Sequence, residues 1–359
     1  MTNKEIAEIL RGCEPVRDGN GQVIVQSIAN MQLVCLTAPE EFSINRFANP
    51  MSIMASNRQY GHLNIRNPQN DPIIVPAQIA VLNDASAQNH GMVKAAYISA
   101  NSARDFNDAG CVQGTQTGHI QESHNNQIRF LPFGAKEYVF KKINNDGHLD
   151  NIYAAIERVG QETGANSGKY LDRYFNKFGA KIQEFIAHFE RPSKCIGTIV
   201  FVDGEIVAID KFPSYEYCAQ VWDMLIRDCY GAIAITEEQK NATSSKTFTQ
   251  ELESITERGL TVAQRLRKAY YQTREKLTQT VKDRVEEIID IQMQLTLDNE
   301  HSGYRSDVLE SEGYIGQTIT EGGYHHLVSI VKKGTFTPER FRQARKMRAL
   351  ASKQRRFKM

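Results

Sequence analysis

Short runs of Val and Ile in partial alternation with polar residues dominate the first part of the chain. Between Gln22 and Ser99 these runs are bounded by Asn, Pro and Gly, a pattern typical of β-strands separated by turns. The runs at 127–133 and 135–142, on either side of Gly134, are interpreted as a further strand pair. The first 145 residues are therefore predicted to form a mostly antiparallel β region.

Helical periodicity begins after this region. Apolar residues recur every three or four positions in Asp150–Glu162 and in Gly168–Phe189, which predicts two amphipathic helices. A third helix is predicted over Ser214–Ala232, where the serine is a good N-cap. Between the second and third helices, two β-rich runs flank Asp203-Gly204. This dipeptide favours a type I′ hairpin turn because both turn residues need positive φ.

Residues 246–298 carry a long apolar stripe with Lys, Arg and Glu between its members. The spacing predicts a long helix or a helical hairpin that breaks at Gly259. Because the repeat is not a sustained heptad, the stripe is expected to seat on the domain, with oligomerisation through 246–298 as the alternative. The stripe consists of Phe248, Leu252, Ile255, Val262, Leu266, Tyr270, Leu277, Val281, Val285 and Ile288.

The C-terminal part combines a Gly-containing stretch, a strand and a basic segment. Residues 312–323 are interpreted as a connecting loop and residues 324–333 as a final strand. Thr337 and Pro338 then open a terminal helix. From Pro338 onward this segment contains nine Lys or Arg and one Glu, a local charge of about +8.

Together these elements predict an α+β fold, in which the mostly antiparallel β region packs with helices and a β-hairpin. Residues 1–240 and 301–335 are assigned to one α+β domain, 241–300 to a long helical insertion, and 336–359 to a basic C-terminal tail. With 359 residues and 41% hydrophobic content, the chain is long enough to bury a sizeable core.

Charge and cysteine usage exclude several classes of protein. The formal net charge is only +1, so the whole molecule has no strong electrostatic preference for nucleic acid or membrane. Six cysteines without CxxC spacing indicate reduced thiols rather than a disulfide framework. Neither a signal peptide nor a run of roughly 18 apolar residues is found. A cytoplasmic protein without a membrane span is therefore expected.

Polar side chains concentrate between Asn83 and Gln127, with few large apolar residues after Ile98. Such a stretch must lie at the surface or line a cleft, because buried polar groups need partners. Amides beside an acid can read a purine edge and ribose hydroxyls; the alternative is a pair of solvated loops. The ligand-binding candidates are Gln88, Asn89, His90, Cys111, Gln113 and Gln116, with Asp210 of the hairpin helping to close the cleft.

The thiols and imidazoles of this sequence give weaker signals. Cys111 would need His119 or His90 as a base to act as a nucleophile, and a buried, unreactive cysteine is the commoner case. No HxxxH on a helix, HxH on a strand or CxxC occurs, so no transition-metal site is predicted. Asp and Glu side chains still leave Mg²⁺ beside a phosphate open.

Several short phrases resemble those of a known family. In chain order they are Ala87-Gln88-Asn89-His90, Cys111-Val112-Gln113 with Gly118, the hairpin residues Gly197, Gly204, Asp210 and Phe212, and Gly322–Val328. The chain is similar in this way to the domain associated with ADP-ribosylglycohydrolases and rhodanese-phosphatases, over roughly residues 10–335. It departs from that pattern in His90, which replaces a usual basic residue, in the long helical insertion and in the basic tail.

The resemblance implies a role around NAD or ADP-ribose metabolism without a defined reaction. The leading hypothesis is that a cleft built from residues 84–124 binds or processes an NAD- or ADP-ribose-like nucleotide. For a hydrolytic reaction, the candidates for the base that activates water are Asp84, Asp108 and Glu122.

The alternative is a non-catalytic interaction protein. It would bind nucleic acid or an acidic partner through the helical insertion and the basic tail, where arginine and lysine contact phosphates. A tail that docks on the acidic body of the protein itself would explain the same charges. The tail candidates are Arg340, Arg345, Lys346, Arg348, Arg355 and Arg356.

Overall fold

The computed structural model describes residues 2–83, 89–114, 118–123, 125–143, 152–240, 246–257 and 259–335. The helices are α1 (Ile6–Ile9), α2 (Phe133–Ile143), α3 (Ile152–Glu162), α4 (Leu171–His188), α5 (Tyr215–Met224), α6 (Gly231–Lys240), α7 (Lys246–Ser254) and α8 (Val262–Glu287). A π-helical segment, Leu225–Tyr230, joins α5 to α6.

The strands follow the same chain order. They are β1 (Thr2–Glu5), β2 (Glu14–Pro15), β3 (Val25–Ile28), β4 (Met31–Thr37), β5 (Met54–Ser56), β6 (Leu63–Asn67), β7 (Ile73–Val75), β8 (Ile79–Asn83), β9 (His90–Gly91), β10 (Ala96–Ile98), β11 (Ser102–Phe106), β12 (Gly110–Cys111), β13 (Asn126–Phe130), β14 (Gly197–Val202), β15 (Glu205–Lys211), β16 (Gln292–His301), β17 (Tyr304–Glu310), β18 (Tyr314–Glu321) and β19 (Tyr324–Lys332). Every strand pair that the described residues form is antiparallel. With 33% helix and 34% strand, the α+β prediction is confirmed.

A ten-stranded sheet forms the centre of the fold. Its order is β1-β16-β17-β18-β19-β15-β14-β4-β2, with β3 paired to β4. The C-terminal strands therefore enter the sheet between the first strand and the central hairpin β14–β15. Among the described residues, no helix is both long and apolar enough to cross a membrane.

Both faces of the central sheet are buried around its middle strands β4, β14 and β15, so these strands carry apolar residues at consecutive positions. In β4, Leu33 and Cys35 belong to one hydrophobic core, and Val34 and Leu36 belong to the other, because side chains alternate between the faces of a strand. The first core is completed by α2–α6 and the smaller sheets, and the second by α1 and α8. The sheet is thus the middle layer between two cores.

The smaller sheets hold the polar part of the chain. Their orders are β10-β7, β11-β6-β5 and β12-β9-β8-β13. In the last of these, β8 contributes Ala80 and Val81 to the first core, while β9 and β12 carry the polar residues discussed below. The N-terminal β region predicted from the sequence is therefore divided between the central sheet and these three sheets.

The predicted hairpin and the helices around it are confirmed. Asp203 and Gly204 have φ angles of 51° and 75°, the left-handed conformation that a type I′ turn requires. Ser214 caps α5, because its hydroxyl accepts a hydrogen bond from the backbone nitrogen of Tyr217 at 3.1 Å. The predicted helices over 150–162 and 168–189 correspond to α3 and α4.

The run at 135–142 is helical, which corrects the predicted strand pair. β13 ends at Phe130, and α2 begins directly after Pro132. Phe133, Lys136 and Phe140 are all fully buried and lie three and four residues apart, which is the helical repeat. Because α2 is buried on most of its surface, its Phe and Val content resembles that of a buried strand in the sequence.

The prediction of a helical segment over 246–298 is correct only as far as Glu287. α7 and α8 form a helical hairpin, and Gly259 lies between them with a φ of 93°. Thr261 begins α8 in a capping box with Gln264, an arrangement that satisfies two of the free backbone donors of a helix start.

The chain after α8 is strand, which is the second correction. In β16, Met293 and Leu295 are buried while Gln294 and Thr296 are exposed. This repeat of two is typical of a strand, although the segment was predicted as a continuation of the helical stripe. Residues 314–321, interpreted as part of a loop, form β18 in the centre of the sheet. Residues 292–301 therefore belong to the central sheet rather than to a helical insertion.

Candidate functional site

The strands β9 and β12 bring the two halves of the predicted polar stretch together. Cys111 pairs with His90, and Gly110 pairs with Gly91. β9 also pairs with β8, so the ribbon is continuous with a four-stranded sheet. We call residues 89–94 and 108–113 the polar ribbon, because each of its ends carries polar side chains.

At one end of the polar ribbon, an amide cluster is closed by hydrogen bonds. The side-chain nitrogen of Asn89 donates to Oε1 of Gln113 at 3.0 Å, and its Oδ1 accepts from the backbone nitrogen of Asn83 at 2.8 Å. Nδ1 of His90 lies 3.3 Å from the amide nitrogen of Asn57. Asn89 and His90 are only 4% and 0% exposed, so their side chains stabilise the ribbon through buried hydrogen bonds.

Cys111 belongs to the same cluster. Its thiol is buried, and its Sγ donates to the carbonyl oxygen of Gln113 at 3.0 Å. This environment is typical of a structural cysteine rather than of an activated thiolate, which needs exposure and neighbouring positive charge.

The surface beside Gln113 is aromatic and basic. Gln113 forms a β-bridge with Tyr170, and the guanidinium of Arg173 lies 3.8 Å from the centre of the Tyr170 ring. Lys169 lies 5.1 Å above the ring of Tyr153. Among the ligand-binding candidates that the structure describes, Gln113 is the one that reaches this surface.

At the other end of the polar ribbon lies a cleft of about 290 Å³. Nζ of Lys94 lies 2.7 Å from Oδ1 of Asp298 and 3.3 Å from Oδ2 of Asp108. All three side chains are partly exposed, between 16% and 27%. The cleft is lined by Lys94, Ala95, Arg104, Asp105, Phe106, Asn107, Asp108, Asp298 and Asn299.

Arg104 is the second cation of the cleft. Its Nη1 donates to the carbonyl oxygen of Tyr97 at 3.2 Å, and its guanidinium carbon lies 5.3 Å from the centre of the Phe106 ring. Burial lowers the pKa of Arg104, and the charges of Asp298 and Asp108 act in the opposite direction. A half-buried guanidinium held in this way stays charged and keeps other donors for a ligand.

Lys94 is charged for a related reason. Burial alone would lower its pKa, but the hydrogen bond to Asp298 and the charges of Asp298 and Asp108 outweigh that effect and raise the pKa. The cleft therefore combines two positive charges with carboxylates that accept hydrogen bonds. Phosphate oxygens can accept hydrogen bonds from the two cations, and sugar hydroxyls can donate hydrogen bonds to the carboxylates.

Of the three candidates for a catalytic base, the structure describes Asp108 and Glu122 and places them apart. Asp108 lines the cleft. Glu122 is bound to Arg66, whose Nε and Nη2 donate to its Oε2 at 3.0 and 2.8 Å, and it is not among the lining residues. Asp84 lies outside the described residues, as do the ligand-binding candidates Gln88 and Gln116.

Asp210 lies in the core rather than at a cleft. It is 1% exposed, and both of its carboxylate oxygens accept from Nζ of Lys136, at 2.7 and 2.8 Å. Ser329 donates to Oδ1 at 2.5 Å, and Tyr230 of the π-helical segment donates to Oδ2. Asp210 thus connects α2, β15, β19 and the π-helical segment through one buried ion pair.

Sequence reasoning missed the residues from distant parts of the chain. Lys94 lies within the predicted stretch but follows an apolar run, and Asp298 was assigned to a helix. The repeat of two in 292–297 predicts that Asp298 follows a strand rather than a helix, but it does not indicate which residues that strand approaches. Within the described ranges, no group of three or more His, Cys, Asp or Glu side chains is arranged to hold a metal ion.

The pairing of Gly91 with Gly110 allows α3 to pack against the polar ribbon. A Cβ atom on Gly110 would lie 2.3 Å from Cδ1 of Ile152, and one on Gly91 would lie 3.2 Å from the same atom. Ile152 can therefore approach the ribbon this closely because neither glycine carries a Cβ atom.

Gly110→Val is expected to destabilise the protein by about 1–3 kcal/mol, because the new side chain overfills this contact. Urea unfolding of the variant would measure the change. Gly19→Val is the matched control, since a Cβ at Gly19 has nothing within 4 Å. Equal effects of the two substitutions would show that the contact with Ile152 does not restrict position 110.

A known protein family matches most of the chain. The sequence profile of the ARG and Rhodanese-Phosphatase-superfamily-associated Protein domain matches residues 26–301. The chain belongs to this family. No curated protein and no solved structure matches the chain.

The family assignment confirms the resemblance seen in the sequence, and it covers the cleft. Lys94, Arg104, Asp108 and Asp298 all lie within the matched range, as do both helices of the α7–α8 hairpin. The family is named for its association with ADP-ribosylglycohydrolases and rhodanese-phosphatases, which links it loosely to ADP-ribose.

Proposed function

We propose that this protein binds an ADP-ribose-like nucleotide through the cleft at the Asp108 end of the polar ribbon. The observation that carries the proposal is the pair of cations, Lys94 and Arg104, set beside Asp108 and Asp298 in a concave site. The family's association with ADP-ribosylglycohydrolases supports the choice of ligand class.

Each group in the cleft has a counterpart in such a ligand. Arg104 and Lys94 would bind phosphate oxygens through charge-assisted hydrogen bonds. Asp298 would accept hydrogen bonds from ribose hydroxyls. The volume of about 290 Å³ lies at the lower limit of small-molecule sites, which span roughly 300–1,000 Å³. The cleft therefore fits the ribose-phosphate part of the ligand, with the remainder extending over the surface.

If the protein hydrolyses the glycosidic bond of its ligand, we assign Asp108 as the general base. Lys94 makes its shorter contact, 2.7 Å, with Asp298 and its longer contact, 3.3 Å, with Asp108. Asp108 is therefore held less firmly and can accept a proton from a water molecule that attacks the anomeric carbon.

Isothermal titration of the full chain with ADP-ribose tests the binding. Arg104→Ala is expected to weaken binding by about 10- to 100-fold, since a hydrogen bond to a charged group contributes about 1.5–3 kcal/mol. Arg17→Ala is the control: Arg17 is exposed beside β2 and β3, at the opposite edge of the sheet from β16. Equal affinities of the wild type and Arg104→Ala would contradict the proposal.

Asp108→Asn separates binding from turnover. The amide keeps the size of the side chain but cannot act as a base, so hydrolysis of NAD or an ADP-ribosyl substrate should fall at least about 100-fold while ADP-ribose still binds. Chromatography of the products measures the first quantity and titration the second. Wild-type protein that binds ADP-ribose but releases no product would limit the function to binding.

A further inference from the structure

The first two turns of α8 are exposed to solvent. Every residue from Thr261 to Arg267 is exposed, including Val262 at 75% and Leu266 at 40%. The C-terminal half packs against the rest of the protein, because Leu277, Val281 and Val285 are buried. The apolar stripe predicted from the sequence is therefore covered only in part.

Two tyrosines extend this exposed surface. Tyr270 and Tyr271 are 36% and 55% exposed, and their ring centres lie 5.9 Å apart with the planes at 71°. The guanidinium carbon of Arg267 lies 5.8 Å from the Tyr271 ring, and that of Arg274 lies 5.9 Å from the Tyr270 ring. Each tyrosine thus has an exposed side chain with an arginine near its ring.

The charge of this half of α8 has one sign. Between Val262 and Arg274 there are four cationic residues and no acidic ones. Lys268 pairs with Glu257, whereas Arg265, Arg267 and Arg274 form no ion pair with the described residues. These three guanidinium groups are therefore available to an anionic partner.

An open cleft continues the surface towards the N-terminal part of the chain. It has a volume of about 490 Å³ and lies between α8 and Gln22. Nζ of Lys282 donates to Oε1 of Gln22 at 2.8 Å across it. The cleft is lined by Gln22, Tyr271, Arg274, Glu275, Thr278, Gln279 and Lys282.

We propose that this face of α8 binds single-stranded nucleic acid. Exposed aromatic rings on which bases stack, set among arginines that contact phosphates, are the combination such sites use. The apolar members Val262 and Leu266 are too few for a stable interface between two copies, which buries about 800 Å² on each partner. The surface is separate from the Asp108 cleft, so this proposal stands independently of the proposed function.

Fluorescence anisotropy of a labelled 12-nucleotide oligo(U) with the full chain tests the surface. The double variant Tyr270→Ala/Tyr271→Ala is expected to raise Kd by about 10-fold or more, because stacking of one base contributes about 1–3 kcal/mol. Arg267→Gln/Arg274→Gln should also weaken binding and reduce its salt dependence. The matched control is Tyr60→Ala, since Tyr60 is 56% exposed at a different site.

Two results would overturn the proposal. One is binding that the tyrosine and arginine variants leave unchanged but that deletion of 336–359 abolishes, which would assign the affinity to the basic tail. The other is the absence of oligo(U) binding at low salt together with a concentration-dependent dimer in sedimentation that Val262→Asp removes. The latter would identify the face as an interface between two copies.

Discussion

Asp210→Ala is expected to lower the free energy of unfolding by about 3–5 kcal/mol, because it leaves the charge of Lys136 buried without its partner. Both oxygens of Asp210 accept from Lys136, and Lys136 itself is 0% exposed. The same change removes an acceptor for Ser329 and for Tyr230. Urea unfolding at pH 7 measures the loss.

The double variant Lys136→Met/Asp210→Ala identifies the cause. Removing both charges should recover a large part of the stability, because a buried ion pair is often replaced by apolar residues at little net cost. Asp223→Ala on the exposed surface of α5 is the control and should change stability by less than about 0.5 kcal/mol. A double variant no more stable than Asp210→Ala would show that the loss does not arise from an unpaired lysine.

Acidification is expected to destabilise the fold through the adjacent histidines of β19. His325 and His326 are 2% and 1% exposed. Burial, reinforced by the charges of Lys4 and Lys211, lowers the pKa of His325 to about 3. Burial and the charge of Arg46 lower the pKa of His326 to about 4. Both imidazoles are therefore neutral in the folded protein at pH 7.

The direction of the pH dependence follows from these values. The unfolded chain has histidine pKa values near 6.5, so below that pH it binds more protons than the folded protein. Stability is therefore full above pH 6.5 and is lost as the pH falls towards 4. Each histidine contributes up to about 3 kcal/mol over this interval, since one pKa unit corresponds to about 1.4 kcal/mol.

Chemical unfolding at several pH values between 7 and 4 measures this loss. His325→Gln/His326→Gln should show a smaller difference between pH 7 and pH 4 than the wild type, whatever its stability at pH 7. His188→Gln, at an exposed position, should leave the difference unchanged. A double variant with the same pH difference as the wild type would assign the acid sensitivity to other groups.

The elements with local signals were predictable from the sequence, and those defined by distant partners were not. Asp203-Gly204 fixes a hairpin turn by its own conformational preference, and Ser214 caps a helix by a hydrogen bond within one turn. By contrast, α2 is surrounded by other elements, so its sequence lacks the polar face that distinguishes a helix from a buried strand.

The residues of the candidate site also divide into those with a local sequence signal and those defined by distant partners. The sequence analysis named Asp108, Asn89 and Gln113 as candidates because polar residues concentrate in that stretch. Lys94 and Asp298 meet only because β16 returns to the sheet more than 200 residues later, and no local pattern encodes that approach. Asp210 was misjudged for a related reason, since its partner Lys136 lies on a helix that was interpreted as a strand.

A crystal structure of the protein with ADP-ribose bound tests the central claim most directly. The account predicts phosphate oxygens within hydrogen-bond distance of Nζ of Lys94 and of the Arg104 guanidinium, with ribose hydroxyls on Asp298. A ligand bound instead beside Gln113 and Tyr170, or an empty cleft at a concentration that saturates binding in solution, would contradict it.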